Sequence, residues 1–144
     1  MPREPGGTRR FGVPAEVAFD YLVDPRHRPE WQSSLRRVED VGAGAPRVGQ
    51  RWVDVTVVGL RPRMETTVLD RPRIWTEVGI WRGIDAVLTL AFTPDGHGCR
   101  VTPTFRVTGR GAVRPLAWAV DRVAVLGVLP DLRRAARLLA MRDH

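Results

Sequence analysis

The spacing of apolar residues along the chain changes twice, and the changes divide it into a helical start, a long middle of strands and a helical end. In Val13–Trp31, Ala15, Ala18, Phe19 and Leu22 recur at i, i+3, i+4 and i+7, which predicts a helix with one apolar stripe. Pro14 suits the first turn of such a helix, where its missing N–H costs nothing, and Glu16 places negative charge near the positive end of the helix dipole. Asp24-Pro25 predicts the stop, because a residue before proline is pushed out of the α region. A short strand over Thr8–Val13 is expected before this helix and a second helical turn over Arg28–Ser33 after it.

From Leu35 to Gly109 the period becomes two. Strands are predicted at Leu35–Val41, Gln50–Gly59, Arg63–Leu69, Ile74–Trp81, Ile84–Thr93 and Cys99–Thr108, each rich in β-branched or aromatic residues. Short turn sequences such as Leu60-Arg61-Pro62, Arg82-Gly83 and Pro94-Asp95-Gly96 separate them, so an antiparallel meander is expected. Ile84, Ala86, Leu88, Leu90 and Phe92 share one face, as do Val101, Phe105 and Val107, while Arg100, Thr102, Thr104, Arg106 and Thr108 face the other way. Beyond Gly109 helical spacing returns in Leu116, Val120, Val123 and Gly127, followed by Val128, Leu132, Ala135 and Leu139. Pro130 falls on this stretch and predicts a kink or a division into two helices. Arg133, Arg134, Arg137 and Arg142 lie near the negative end of the helix dipole, a sufficient structural reason for them.

The apolar stripe, the Asp24-Pro25 break and Trp31 seven residues after Asp24 together resemble the opening of the START-like, or SRPBCC, superfamily, which includes polyketide cyclase/dehydratase-like proteins and the Bet v 1 type. Val48-Gly49, Asp70-Arg71-Pro72-Arg73, Phe92-Thr93-Pro94 and Gly98-Cys99-Arg100-Val101 extend the resemblance over nearly the whole chain, although members commonly have Thr where Cys99 stands. The resemblance implies an α+β helix-grip fold over residues 1–144 as a single domain. In it an antiparallel curved sheet of six to seven strands wraps a long C-terminal helix, with two short helices after the first strand. It further implies a cavity between sheet and helix, with apolar cargo.

Composition narrows the chemistry. The chain has net charge +7, and all of its basic side chains are arginines, with neither Lys nor Asn present. Both absent residues have AT-rich codons, so a GC-rich genome accounts for much of this bias, and nucleic acid is not the expected partner. Without lysine there is no Schiff-base chemistry, no pyridoxal phosphate attachment and no phosphate-loop lysine. Cys99 is the single cysteine and cannot form an internal disulfide, which suits a reducing, cytoplasmic setting. The N-terminal ten residues lack the apolar core of a signal peptide, and no segment is long and apolar enough to be a transmembrane helix. His97 and Cys99 offer two ligands with no third or fourth, so no metal is expected, and nothing calls for a cofactor. Ser33 and Ser34 lie in no nucleophile motif.

Binding residues are therefore sought on the inward face of the sheet and on the helix that covers it. Trp31, Trp52, Trp75 and Trp118, with Met64, Leu88, Leu90, Phe92 and Phe105, are candidates for a ligand wall; any single Trp is read first as core, and the set together as an aromatic-lined cavity. Gly127 sits on the apolar stripe of the terminal helix and leaves room toward the sheet. Glu77, His27 and Asp54 are candidate proton-transfer groups. The side on which Glu77 lies depends on a turn. A two-residue turn at Arg82-Gly83 points Trp75, Glu77 and Trp81 inward, and a three-residue turn points Ile74, Val78 and Ile80 inward. The second register buries the more apolar set and is favoured on that ground, with the first left open. His27, in the loop after the first helix, either meets a ligand or is solvated.

Binding of a hydrophobic small molecule such as a lipid, polyketide-like or isoprenoid compound is the leading expectation. The alternatives are a polyketide cyclase/dehydratase-type enzyme using the same cavity, and an RNA- or ribosome-binding protein acting through its arginines. Oligomeric state is left open.

Overall fold

The structure, a computed structural model, describes residues 7–142, with the side chains of residues 121–126 outside the description. Its elements run β1 (Arg9–Phe11), α1 (Ala15–Val23), a 3-10 turn (Pro25–His27), α2 (Arg28–Trp31), β2 (Leu35–Glu39), β3 (Arg51–Thr56), β4 (Arg63–Asp70), β5 (Ile74–Trp81), β6 (Ile84–Asp95), β7 (Gly98–Gly109), a 3-10 turn (Gly111–Val113) and α3 (Arg114–Arg142). The apolar stripe of α1 is buried as its spacing predicts, and Tyr21 and Val23 join it. Pro14 sits one position earlier than expected, at the N-cap, where its carbonyl accepts from the N–H groups of Val17 and Ala18. Asp24 ends α1, and its carboxylate accepts from the N–H of Arg26 to cap the 3-10 turn that Pro25 begins.

All seven strands form one antiparallel sheet in the order β1-β7-β6-β5-β4-β3-β2. Register shifts interrupt the β2–β3 and β4–β5 ladders, and such bulges bend a sheet locally.

The favoured register of β5 and β6 is corrected. Trp81 pairs with Ile84 and Glu77 with Leu88, so Arg82-Gly83 is a two-residue turn. Both turn residues have positive φ, 46° and 82°, the arrangement whose twist matches that of the flanking strands. Turn geometry therefore outweighs apolar burial. Ile74 and Ile80 are exposed, while Trp75 and Glu77 are buried.

Helix α3 continues through Pro130 without dividing in two. Its C-terminal half is fastened down: Leu132, Ala135 and Leu139 are buried, Arg134 Nε donates to the Glu30 carbonyl at 2.9 Å, and Arg142 Nη2 donates to Glu30 Oε1 at 2.7 Å. These two arginines thus make particular bonds beyond the dipole interaction. Before Pro130 the helix behaves differently. Leu116 is 48% exposed and Val120 41%, whereas Val123 of the expected stripe lies outside the described side chains. At its start α3 closes on the sheet again through Ala117, which packs with Ile84 and Val107. Gly109 permits this approach, because a Cβ there would stand 2.7 Å from that of Ala117.

The apolar interior is consequently in two parts. The larger joins α1, α2, β1, β3 to β7 and the C-terminal half of α3, and the smaller surrounds Ile84, Val107 and Ala117. Leu90 and Leu132 belong to the larger part and are fully buried. Replacing either with alanine should cost about 2–5 kcal/mol, and Arg106→Ala, on the exposed face, less than about 0.5 kcal/mol. Urea melts of the three variants check this, and equal losses would contradict the assignment of faces.

Candidate functional site

Between the sheet and the first half of α3 lies a cavity of about 690 Å³. Met64, Trp81, Ile84, Ala86, Leu88, Phe105 and Val107 line it from the sheet, and Leu116, Val120, Gly127 and Val128 from the helix. Gly79 belongs to the same wall, and a Cβ there would come within 2.7 Å of Met64 Sδ, so glycine is what lets the methionine lie flat across β4 and β5.

One polar cluster interrupts this apolar lining. Arg28, the first residue of α2, is 2% exposed and reaches into the sheet. Its Nη1 donates to Glu77 Oε2 at 2.6 Å, and its Nη2 donates to Glu77 Oε1 at 3.1 Å and to Asp54 Oδ2 at 3.0 Å. Trp52 Nε1 donates to the other oxygen of Asp54 at 2.9 Å, and the guanidinium lies 5.4 Å from the centre of the Trp52 ring. Arg28, Asp54 and Glu77 all line the cavity.

Two carboxylates share one cation here, out of water. Burial pushes the Glu77 carboxyl up to about 7, and the neighbouring Asp54 adds to the rise while Arg28 opposes it. For Arg28 burial acts to lower the value, but the charges of Asp54 and Glu77 overcome it and hold the guanidinium firmly protonated. A carboxyl poised near neutrality beside a fixed cation can give or take a proton from a molecule in the cavity.

The sequence candidates separate clearly in space. Met64, Leu88, Phe105 and Gly127, together with Glu77 and Asp54, line the cavity. Trp31, Trp52, Trp75, Leu90 and Phe92 do not, being buried in the larger core. Trp75 turns its Nε1 to Thr66 Oγ1, and Phe92 packs on Phe19 of α1 with ring centres 5.1 Å apart. Trp118 is 61% exposed on α3 and lies outside the lining as well. His27 is taken up by its own loop: its ring stacks on Tyr21, and its Nδ1 lies 2.9 Å from the Tyr21 carbonyl. Sequence reasoning missed Arg28, and also Gln32, Ser33 and Asp131, which line the cavity from α2, the segment after it and α3. Asp131 Oδ1 accepts from Ser33 Oγ at 2.9 Å, a contact between residues 98 positions apart that no local pattern announces.

An antiparallel sheet gripping a long C-terminal helix, with a cavity between them, defines a helix-grip protein. Residues 7–142 match the family described as polyketide cyclase / dehydrase and lipid transport, and the chain belongs to it. The fold is shared with protein MLL2253 from Mesorhizobium loti at a TM-score of 0.71 and 18% identity, covering 94% of this chain and 95% of that one. It is shared with the di-domain ARO/CYC StfQ from the steffimycin biosynthetic pathway at 0.74 and 16%, covering 95% of this chain and 50% of that one. Ara h 8.0201 gives 0.74 at 12% identity, covering 98% of both chains. No curated protein matches the chain in sequence.

The position of Glu77 sets a pH dependence. With a folded value near 7 against about 4.3 unfolded, its contribution to stability is fully present below the unfolded value and is lost as pH rises through 7. Between pH 5 and pH 8 the wild-type protein should lose on the order of 3 kcal/mol relative to Glu77→Gln, which has no proton to release. Denaturant melts of both proteins at the two pH values measure this difference, and parallel pH profiles would contradict it.

Proposed function

We propose that the cavity binds a hydrophobic small molecule of the lipid, polyketide-like or isoprenoid class. The observation that carries the proposal is an apolar space of about 690 Å³, within the range of small-molecule sites, with its polar groups gathered in a few places. Burying roughly 300 Å² of apolar ligand surface at about 25 cal/mol per Å² contributes about 7 kcal/mol before the costs of association, enough for a useful affinity. Arg28, Asp54 and Glu77 then orient the ligand rather than drive its binding. Family membership and the likeness to other helix-grip proteins support this reading.

A second reading, a cyclase- or dehydratase-type enzyme, rests on one specific feature. Glu77 combines a midpoint near 7 with a place on the cavity wall, as a proton-transferring group requires. Mass spectrometry of the native protein separates the two readings, since a carrier retains an intact compound and an enzyme converts it.

Gly127 supplies the direct test of the site. A Cβ at this position meets none of the described residues within 4 Å, so leucine fits and projects into the cavity. Leucine is also the better helix former by roughly 0.8 kcal/mol, so Gly127→Leu should stay folded. It should weaken binding of the neutral apolar dye Nile red by about ten-fold or more, the equivalent of about 1.4 kcal/mol. Unchanged dye affinity in the folded variant would show that binding takes place elsewhere.

A further inference from the structure

We propose that the cavity selects hydrophobic molecules whose polar end is uncharged and rejects those that end in a carboxylate. This inference rests on the binding role proposed above and specifies the chemistry of the ligand.

The protein as a whole is strongly cationic, but the described lining of its cavity is not. Among the described lining residues the charged groups are Arg28, Asp54, Glu77 and Asp131, so one arginine faces three carboxyl groups. Both terminal nitrogens of Arg28 are already bound to Glu77 and Asp54, so among the described lining residues no uncommitted cation is left to receive an acid. A ligand carboxylate would lose its water and meet an excess of like charge in a space of low polarity.

The test uses the full chain loaded with Nile red at pH 8, with displacement by decanol and by decanoate, which share a chain length. An ionised acid enters any apolar space less readily than an alcohol, so the change in their ratio between proteins is the informative quantity. Decanol should displace the dye from the wild-type protein at lower concentration. Asp131→Asn, which leaves the Arg28 cluster intact, should tighten decanoate binding about three-fold or more and change decanol by less than about two-fold, and Glu77→Gln should shift the ratio in the same direction. Circular dichroism establishes that each variant is folded, and Asp131→Asn alone suffices if Glu77→Gln is not. Tighter binding of decanoate than decanol by the wild type, or the same ratio in the wild type and the folded variants, overturns the selectivity. Failure of the wild type to bind Nile red, decanol and decanoate alike overturns the binding role itself, which is a distinguishable result.

Discussion

Burial of Arg28 is the constraint around which the site is organised. Removing a guanidinium from water costs several kcal/mol, which only close pairing with charged acceptors offsets. Asp54 on β3 and Glu77 on β5 provide that pairing from two strands separated by β4, so the arginine ties α2 to the inner face of the sheet. Loss of one partner from such a cluster typically costs about 3–5 kcal/mol, because the charge left behind stays desolvated. The same balance sets the chemistry. One cation cannot fully neutralise two carboxylates, and burial resolves the surplus by raising Glu77 into the neutral range.

The cavity itself follows from uneven packing along α3. Leu132, Ala135 and Leu139 hold its second half to the core, and the bonds of Arg134 and Arg142 to Glu30 lock that half against α2. Tyr21 reinforces the lock by donating to the Glu30 carboxylate at 2.9 Å while Arg142 lies over its ring. At the other end Ala117 reaches the sheet only because Gly109 has no side chain. Between these two attachments the helix contributes Gly127, which has no side chain to place against the sheet, and a cavity remains.

What could be read from the chain and what could not divide along a physical line. Helical spacing in α1 and alternation in β6 and β7 are local properties of the backbone period, and the buried sets match them. The β5–β6 register was not legible from apolarity, because it depends on Arg82 accepting a left-handed conformation, which its residue type does not announce. The aromatic candidates misled for a related reason. Trp52 and Trp75 found partners for their indole N–H groups in Asp54 and Thr66 and became core rather than wall. Arg28 was hidden among many arginines, and its partners lie 26 and 49 positions away in sequence. Long-range pairing of charges, unlike periodicity, leaves no mark on a single sequence.

The central claim is that Arg28 holds two buried carboxyl groups at the wall of the cavity and that one of them, Glu77, takes up a proton near neutrality. Carbon-detected NMR of the glutamate side-chain carboxyls, with Glu77 assigned by its loss in Glu77→Gln, reads this directly. The account predicts that the Glu77 carboxyl titrates with a midpoint of about 7. A Glu77 signal that titrates in the ordinary range near about 4.3 would show that the carboxyl is solvated and that the buried cluster does not form.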